Sequence, residues 1–267
     1  MLWRCSELRG YEIAAADATV GSVDELLFDE ARWTLRWAVA DTGDWLSGRK
    51  VLLPASALGH PDAGARRLAV TLSRTQVEAS PPVESDLPVS RQVETDILAH
   101  YGWPPYWESD LSPPLSYLAS GGLGGGFLFP PGTTERIATE PGAAGSKPGA
   151  ETARMADPDL RSVRDTIGHA IAAQDGKVGH VEDFLVDEER WPLRYMVVDT
   201  RNWLPGRKVL VAPQWISDID WAAGRVTVDL SREAVRASPE YDPRAPVGRS
   251  YEATLHGHYG RKGYWGG

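Results

Sequence analysis

The chain has 267 residues, enough for one or two domains, and its 28 basic and 37 acidic residues leave a net charge of −9. That balance excludes the basic excess that a nucleic-acid backbone rewards, so nucleic acid is not an expected partner. A lone cysteine, Cys5, excludes an intrachain disulfide and a thiolate metal cluster.

The opening MLWRCSELRGYEI lacks the apolar run of a secretory signal. The most apolar stretch, 111–131, is interrupted by Pro113, Pro114 and a glycine cluster, so no membrane span is expected and the cytoplasm is the expected location. The block Gly10–Leu52 returns as Gly168–Leu210, an offset of 168 − 10 = 158, with 25 of 43 positions identical. The same offset pairs His100-Tyr101-Gly102 with His258-Tyr259-Gly260. A duplicated unit follows: one module over 1–107, a linker over 108–158, and a second module over 159–267.

In chain order, Val20–Phe28 leads through Asp29-Glu30-Ala31-Arg32 into Trp33–Ala40, the pattern of a hairpin. Leu35, Trp37 and Val39 are expected on one face, and Arg36, Ala38 and Ala40 on the other. Thr42–Gly48 reads as a loop, and Lys50–Leu53 and Leu68–Leu72 as further strands, with Lys208–Val211 and Val226–Leu230 as their copies. Five or six short strands per unit predict a small barrel or sandwich. Ser73 and Ser231 are expected to cap short helices. Val89, Val93, Ile97 and Tyr101 form a helical stripe, as do Val247, Tyr251, Leu255 and Tyr259, with Gly102 and Gly260 as stops. Residues 108–158, rich in Pro, Gly, Ser and Ala, read as disordered linker. Within it, 115–131 is apolar enough to be either an incidental patch or a docking segment.

The leading glycine, the D-x-x-V-G turn (Asp17 to Gly21, Asp175 to Gly179), the hairpin and the terminal GRKVL together resemble the PRC-barrel domain. That domain is known from the photosynthetic reaction-centre H subunit and a ribosome-maturation factor. The phrase V-D-T-x-x-W-L-x-G-R-K-V-L, here Ala40–Leu52 and Val198–Leu210, is similar to that of bacterial proteins with tandem PRC-barrels. The resemblance implies a mainly β fold: two small barrels, each with C-terminal helices. It also implies protein contacts rather than catalysis, with no catalytic residue or cofactor to carry over.

Read from the residues alone, the Asp41–Lys50 and Asp199–Lys208 phrases admit two roles. Asp41 can accept backbone N–H groups in an Asx turn while Trp45 covers a sheet end. Alternatively, Trp45, Arg49 and Lys50, with Trp203, Arg207 and Lys208, form a contact surface or grip an anion. Trp107 and Trp265 close aromatic tails that either fold back on their own module or enter the neighbouring one. His256 and His258 lie two apart on a helix, which makes joint chelation awkward, so no metal is expected. No Walker lysine and no G-x-S-x-G elbow accompany the glycines. The expectation is therefore a non-enzymatic interaction or scaffold protein whose modules pair with each other, with self or with protein partners. The alternative is a small-ligand or anion sensor acting through the D-T-x-x-W-L-x-G-R-K loops.

Overall fold

The computed structural model describes residues 1–46, 48–81, 91–103, 105, 160–200 and 207–265. The first half comprises β1 (Leu2–Arg4), α1 (Cys5–Leu8), β2 (Glu12–Ala14), β3 (Thr19–Asp29), β4 (Thr34–Asp41), β5 (Lys50–Pro54), β6 (Leu58–Asp62) and β7 (Arg67–Val70). Helices α2 (Arg74–Glu78) and α3 (Arg91–Tyr101) follow. The second half repeats the order: β8 (Leu160–Ser162), α4 (Val163–Thr166), β9 (Ala170–Ala173), β10 (Gly176–Asp187), β11 (Leu193–Asp199), β12 (Lys208–Val211), β13 (Ile216–Asp220) and β14 (Arg225–Val228). It ends in α5 (Arg232–Ala237) and α6 (Arg249–His258). The protein is mainly β, as expected.

Each half builds the same sheet path, β5-β4-β3-β2-β7-β6 in the first and β12-β11-β10-β9-β14-β13 in the second. All pairings are antiparallel except β2 with β7 and β9 with β14. Both sheet faces are covered in the first half. Leu26, Phe28, Ala38 and Ala40 enter the main core, while Leu27, Trp37, Val39 and Leu52 pack under Ile97 and Leu98 of α3. This departs from the expected alternation at Leu35, which joins Ala38 rather than Trp37. The cause is a register shift between Leu27, opposite Trp37, and Phe28, opposite Leu35. The skipped residue, Arg36, reaches Asp29 at 2.9 Å.

Local chemistry explains the boundaries. Ser73 forms a capping box with Gln76, and Ser231 accepts from the N–H of Ala234. Gly102 and Gly260 follow α3 and α6 in the left-handed region, at φ 72° and 62°. In the repeated D-x-x-V-G turn the glycines are required by space. A Cβ on Gly21 or Gly179 would stand 2.1 Å from the carbonyl oxygen of Asp41 or Asp199. Val89 lies outside the described residues, and Val247 precedes α6 rather than belonging to it.

The halves are not side by side but interlocked. Strand β1 of the first half pairs with β10 of the second, Leu2 with Asp187, Trp3 with Val186 and Arg4 with Leu185. Strand β8 returns the exchange on β3, Leu160 with Asp29, Arg161 with Phe28 and Ser162 with Leu27. Every pair maps onto its reciprocal through the offset of 158. The hairpin tips repeat the symmetry: Leu35 N–H donates to Trp191 at 2.8 Å and Leu193 N–H to Trp33 at 2.7 Å. Trp33 and Trp191 both hold positive φ at these tips, 50° and 62°. A single apolar cluster runs through both halves, with Phe28, Trp33 and Phe184 in mutual ring contact at 5.2 to 6.1 Å.

Candidate interaction site

The exchanged segments are fastened by two buried carboxylates at equivalent ends. In the second half, fully buried Asp183 accepts from the backbone N–H of Ser6 at 3.0 Å, from the Ser6 hydroxyl, and from Arg4 Nε at 3.0 Å. In the first half, Glu25 pairs with Arg164 Nε at 2.9 Å, and the Arg164 backbone N–H donates to it at 3.3 Å. The neighbouring Asp24 holds Arg164 at 3.1 Å and Lys50 at 2.8 Å. Burial pushes the Glu25 carboxyl above the usual carboxylate range, although the Leu26 N–H and Arg164 oppose the shift. Burial opposes ionisation of Asp24 too, but hydrogen bonds from Lys50 and Arg164 outweigh it and hold its pKa below that range.

Two further contacts tie the same seam. The Trp3 indole N–H donates to Glu188 at 2.7 Å, and Arg161 pairs with Glu30 while its guanidinium lies 4.6 Å from the Trp221 ring. Cys5 is wholly buried on α1, and burial raises its thiol pKa well above the ordinary value. The sequence pattern points to Asp24-Glu25 as a partner for Lys50, which Asp24 provides, but does not single out Ser6, Arg164 or Asp183. The signal for Glu25 and Asp183 is the pair of adjacent carboxylates inside each apolar run, VDELLF and VEDFLV, because neighbours on a strand face opposite sides and one of the two turns inward.

The described residues of the D-T-x-x-W-L-x-G-R-K phrases are tied into their own halves. Asp41 accepts from Gly43 N–H at 2.9 Å, forming the expected Asx turn, and Thr42 donates to the Arg49 carbonyl at 2.6 Å. Arg49 donates to the carbonyls of Glu78 at 2.7 Å and Ser80 at 3.0 Å. Arg207 repeats this on Ser238, and Lys208 pairs with Glu182 as Lys50 does with Asp24. Trp45 is half-buried, with the Arg74 guanidinium 4.5 Å from its ring. Trp203 and Trp107 lie outside the described residues, as does the linker.

The tail of the second half folds back on its own module. The Tyr264 hydroxyl donates to Glu252 at 2.8 Å, beneath the Arg194 guanidinium at 3.7 Å, and Trp265 meets His256 edge-on at 5.0 Å. Glu252 is buried and also accepts from the Tyr195 hydroxyl at 3.0 Å; Trp37 donates to Glu94 at the equivalent place. The histidines diverge: His256 contacts Tyr195 and the Lys262 carbonyl, whereas His258 contacts the Ala234 carbonyl. Among the described residues no group of three metal-ligating side chains occurs, and no helix is long and apolar enough to cross a membrane.

The geometry defines a mainly β fold in which Asp183 and Glu25 fasten one half to the other. Residues 3–77, which include β2 to β7 of the first sheet, match the family model of the PRC-barrel domain. No curated protein matches the chain.

Proposed function

We propose that the chain is a non-enzymatic interaction or scaffold protein of the bacterial tandem type, built from two paired PRC-barrels, with the second half a PRC-barrel like the first. The observation that carries this reading is the reciprocal exchange of β1 and β8, which turns two copies of one module into a single platform. The buried titratable groups support it as well. Glu25 and Asp183 are closed off by the exchanged segments, and Glu252 by two tyrosines, which leaves them no substrate to act on. Arg49 and Arg207 already donate to backbone carbonyls, which favours the scaffold over an anion sensor.

The test replaces Trp45, and separately Trp203, with a photo-crosslinking phenylalanine in the full chain, followed by irradiation in the native cell. Discrete protein adducts are expected at one or both loops. If neither position captures a protein, or if only small-molecule adducts form, the scaffold reading fails.

A further inference from the structure

The two ends of the exchange are alike in backbone but not in side chains, and the differences are crossed. At the first end the inserting segment brings Arg4 and Ser6, and its receiving carboxylate is the shorter Asp183. At the second end the equivalent positions are Ser162 and Arg164, and the receiver is the longer Glu25, with Asp24 beside it. The cation has moved two residues along the inserting segment, and the carboxylate has changed by one methylene to meet it. Both receiving carboxylates are buried, so each needs its own cation at the right spacing.

We propose that this crossed arrangement makes the interface heterotypic: a first half pairs with a second half and rejects another first half, and the reverse holds for second halves. The proposal rests on the reading of the chain as paired modules. A pair of two first halves would set Ser6 against Glu25 in place of Arg164 and offer Arg4, two residues earlier and placed for the shorter Asp183, as the only cationic side chain of the inserting segment at that end. A pair of two second halves would set Arg164 against the shorter Asp183 and Ser162 where Arg4 stands. Backbone pairing is indifferent to these swaps, because the strand registers are identical at the two ends. Discrimination therefore falls on Arg4, Ser6, Glu25, Arg164 and Asp183, by mismatch between the position of the cation and the reach of the buried carboxylate. The partner class that fits either receiving groove is thus the opposite half, from this chain or from a second copy.

The test places a protease site within residues 108–158 of the full chain and cuts it after folding. The cut complex is taken apart in mild denaturant, reassembled, and read by native mass spectrometry, where the halves differ in mass. Mixed pairs are expected to exceed like pairs at least tenfold. Reassembly in the statistical ratio of about 1:2:1 would overturn the proposal, while halves that separate on cutting and never re-pair would overturn the paired-module reading beneath it. The double variant R4S/S6R gives the first half the side chains of the second half's inserting segment. Its like pairs should rise at least tenfold relative to the unaltered chain, because Arg at position 6 then meets Glu25. An unchanged distribution in that variant would also overturn the proposal.

Discussion

Leu193 donates its backbone N–H to the carbonyl of Trp33 at 2.7 Å, across a boundary that the chain reaches only after 160 further residues (193 − 33). With its mate from Leu35 to Trp191, this bond fixes how the two hairpin tips face one another. Both donors sit beside residues in the left-handed region, a conformation a tryptophan adopts only where the surroundings enforce it.

The buried carboxylate of Asp183 is the most sensitive point of the seam. Asp183→Ala leaves the Ser6 N–H and the partly buried Arg4 guanidinium without their acceptor. Removing one partner of such a pair is expected to cost about 2–4 kcal/mol. Urea denaturation should show a lower midpoint, and an unchanged midpoint would contradict the role given to this residue.

Cys5 offers a readout of the same event without any substitution. Its thiol is buried on α1 and its raised pKa keeps it protonated, so a thiol reagent should label it very slowly in the folded chain. Asp183→Asn should accelerate labelling at denaturant concentrations too low to unfold the rest, as the exchanged segment lifts. Equal labelling rates in the two chains would show that α1 is not held by Asp183.

Asp24 and Glu25 should drive stability in opposite directions with pH. The folded pKa of Asp24 lies below its ordinary value of 3.8, so its contribution is present above that pH and disappears as pH falls through the folded value. The folded pKa of Glu25 lies above 4.5, so its contribution is full below that pH and declines as pH rises through the folded value. As pH rises, Glu25→Gln should therefore gain stability relative to the unaltered chain above pH 4.5, whereas Asp24→Asn should lose it below pH 3.8 and keep a constant deficit above that value. Urea midpoints measured across pH 3–7 give both slopes.

Gly179 tests the close strand crossing without the complication of a positive φ. Gly179→Ala pushes a methyl group into the carbonyl of Asp199, and overpacking of this kind is expected to cost about 1–3 kcal/mol. Gly21→Ala adds left-handed strain to the same clash, since Gly21 stands at φ 133°. The second variant should be the less stable of the two by thermal melting.

Much of the architecture was legible in the residues. The hairpin, the serine caps, the glycine stops and the mainly β class follow from periodicity and turn chemistry, which act over a few positions. The facing of Leu35 was not legible, because a one-residue bulge at Arg36 reverses the alternation and arises from pairing with Leu27 and Phe28. The exchange of β1 and β8 was hidden for a different reason. Three-residue strands carry almost no period, and their partners lie in the other half. The fold-back of Tyr264 and Trp265, in contrast, was among the expected roles, and Glu252 supplies the acceptor that draws the tail in.

The traded first strand also bears on biogenesis. A ribosome delivers the amino-terminal sheet complete except for its β8 slot, and residues 102–159 must emerge before that slot can be filled. At typical elongation speeds of about 5–20 residues per second, the slot stays open for several seconds. During that window the apolar edge beside Leu27 is exposed to any other nascent copy on the same message. Under the proposed heterotypic pairing, chemistry rather than timing would block premature partnering, since a neighbouring amino terminus would bring Ser6 in place of Arg164 to Glu25, with Arg4 spaced for Asp183.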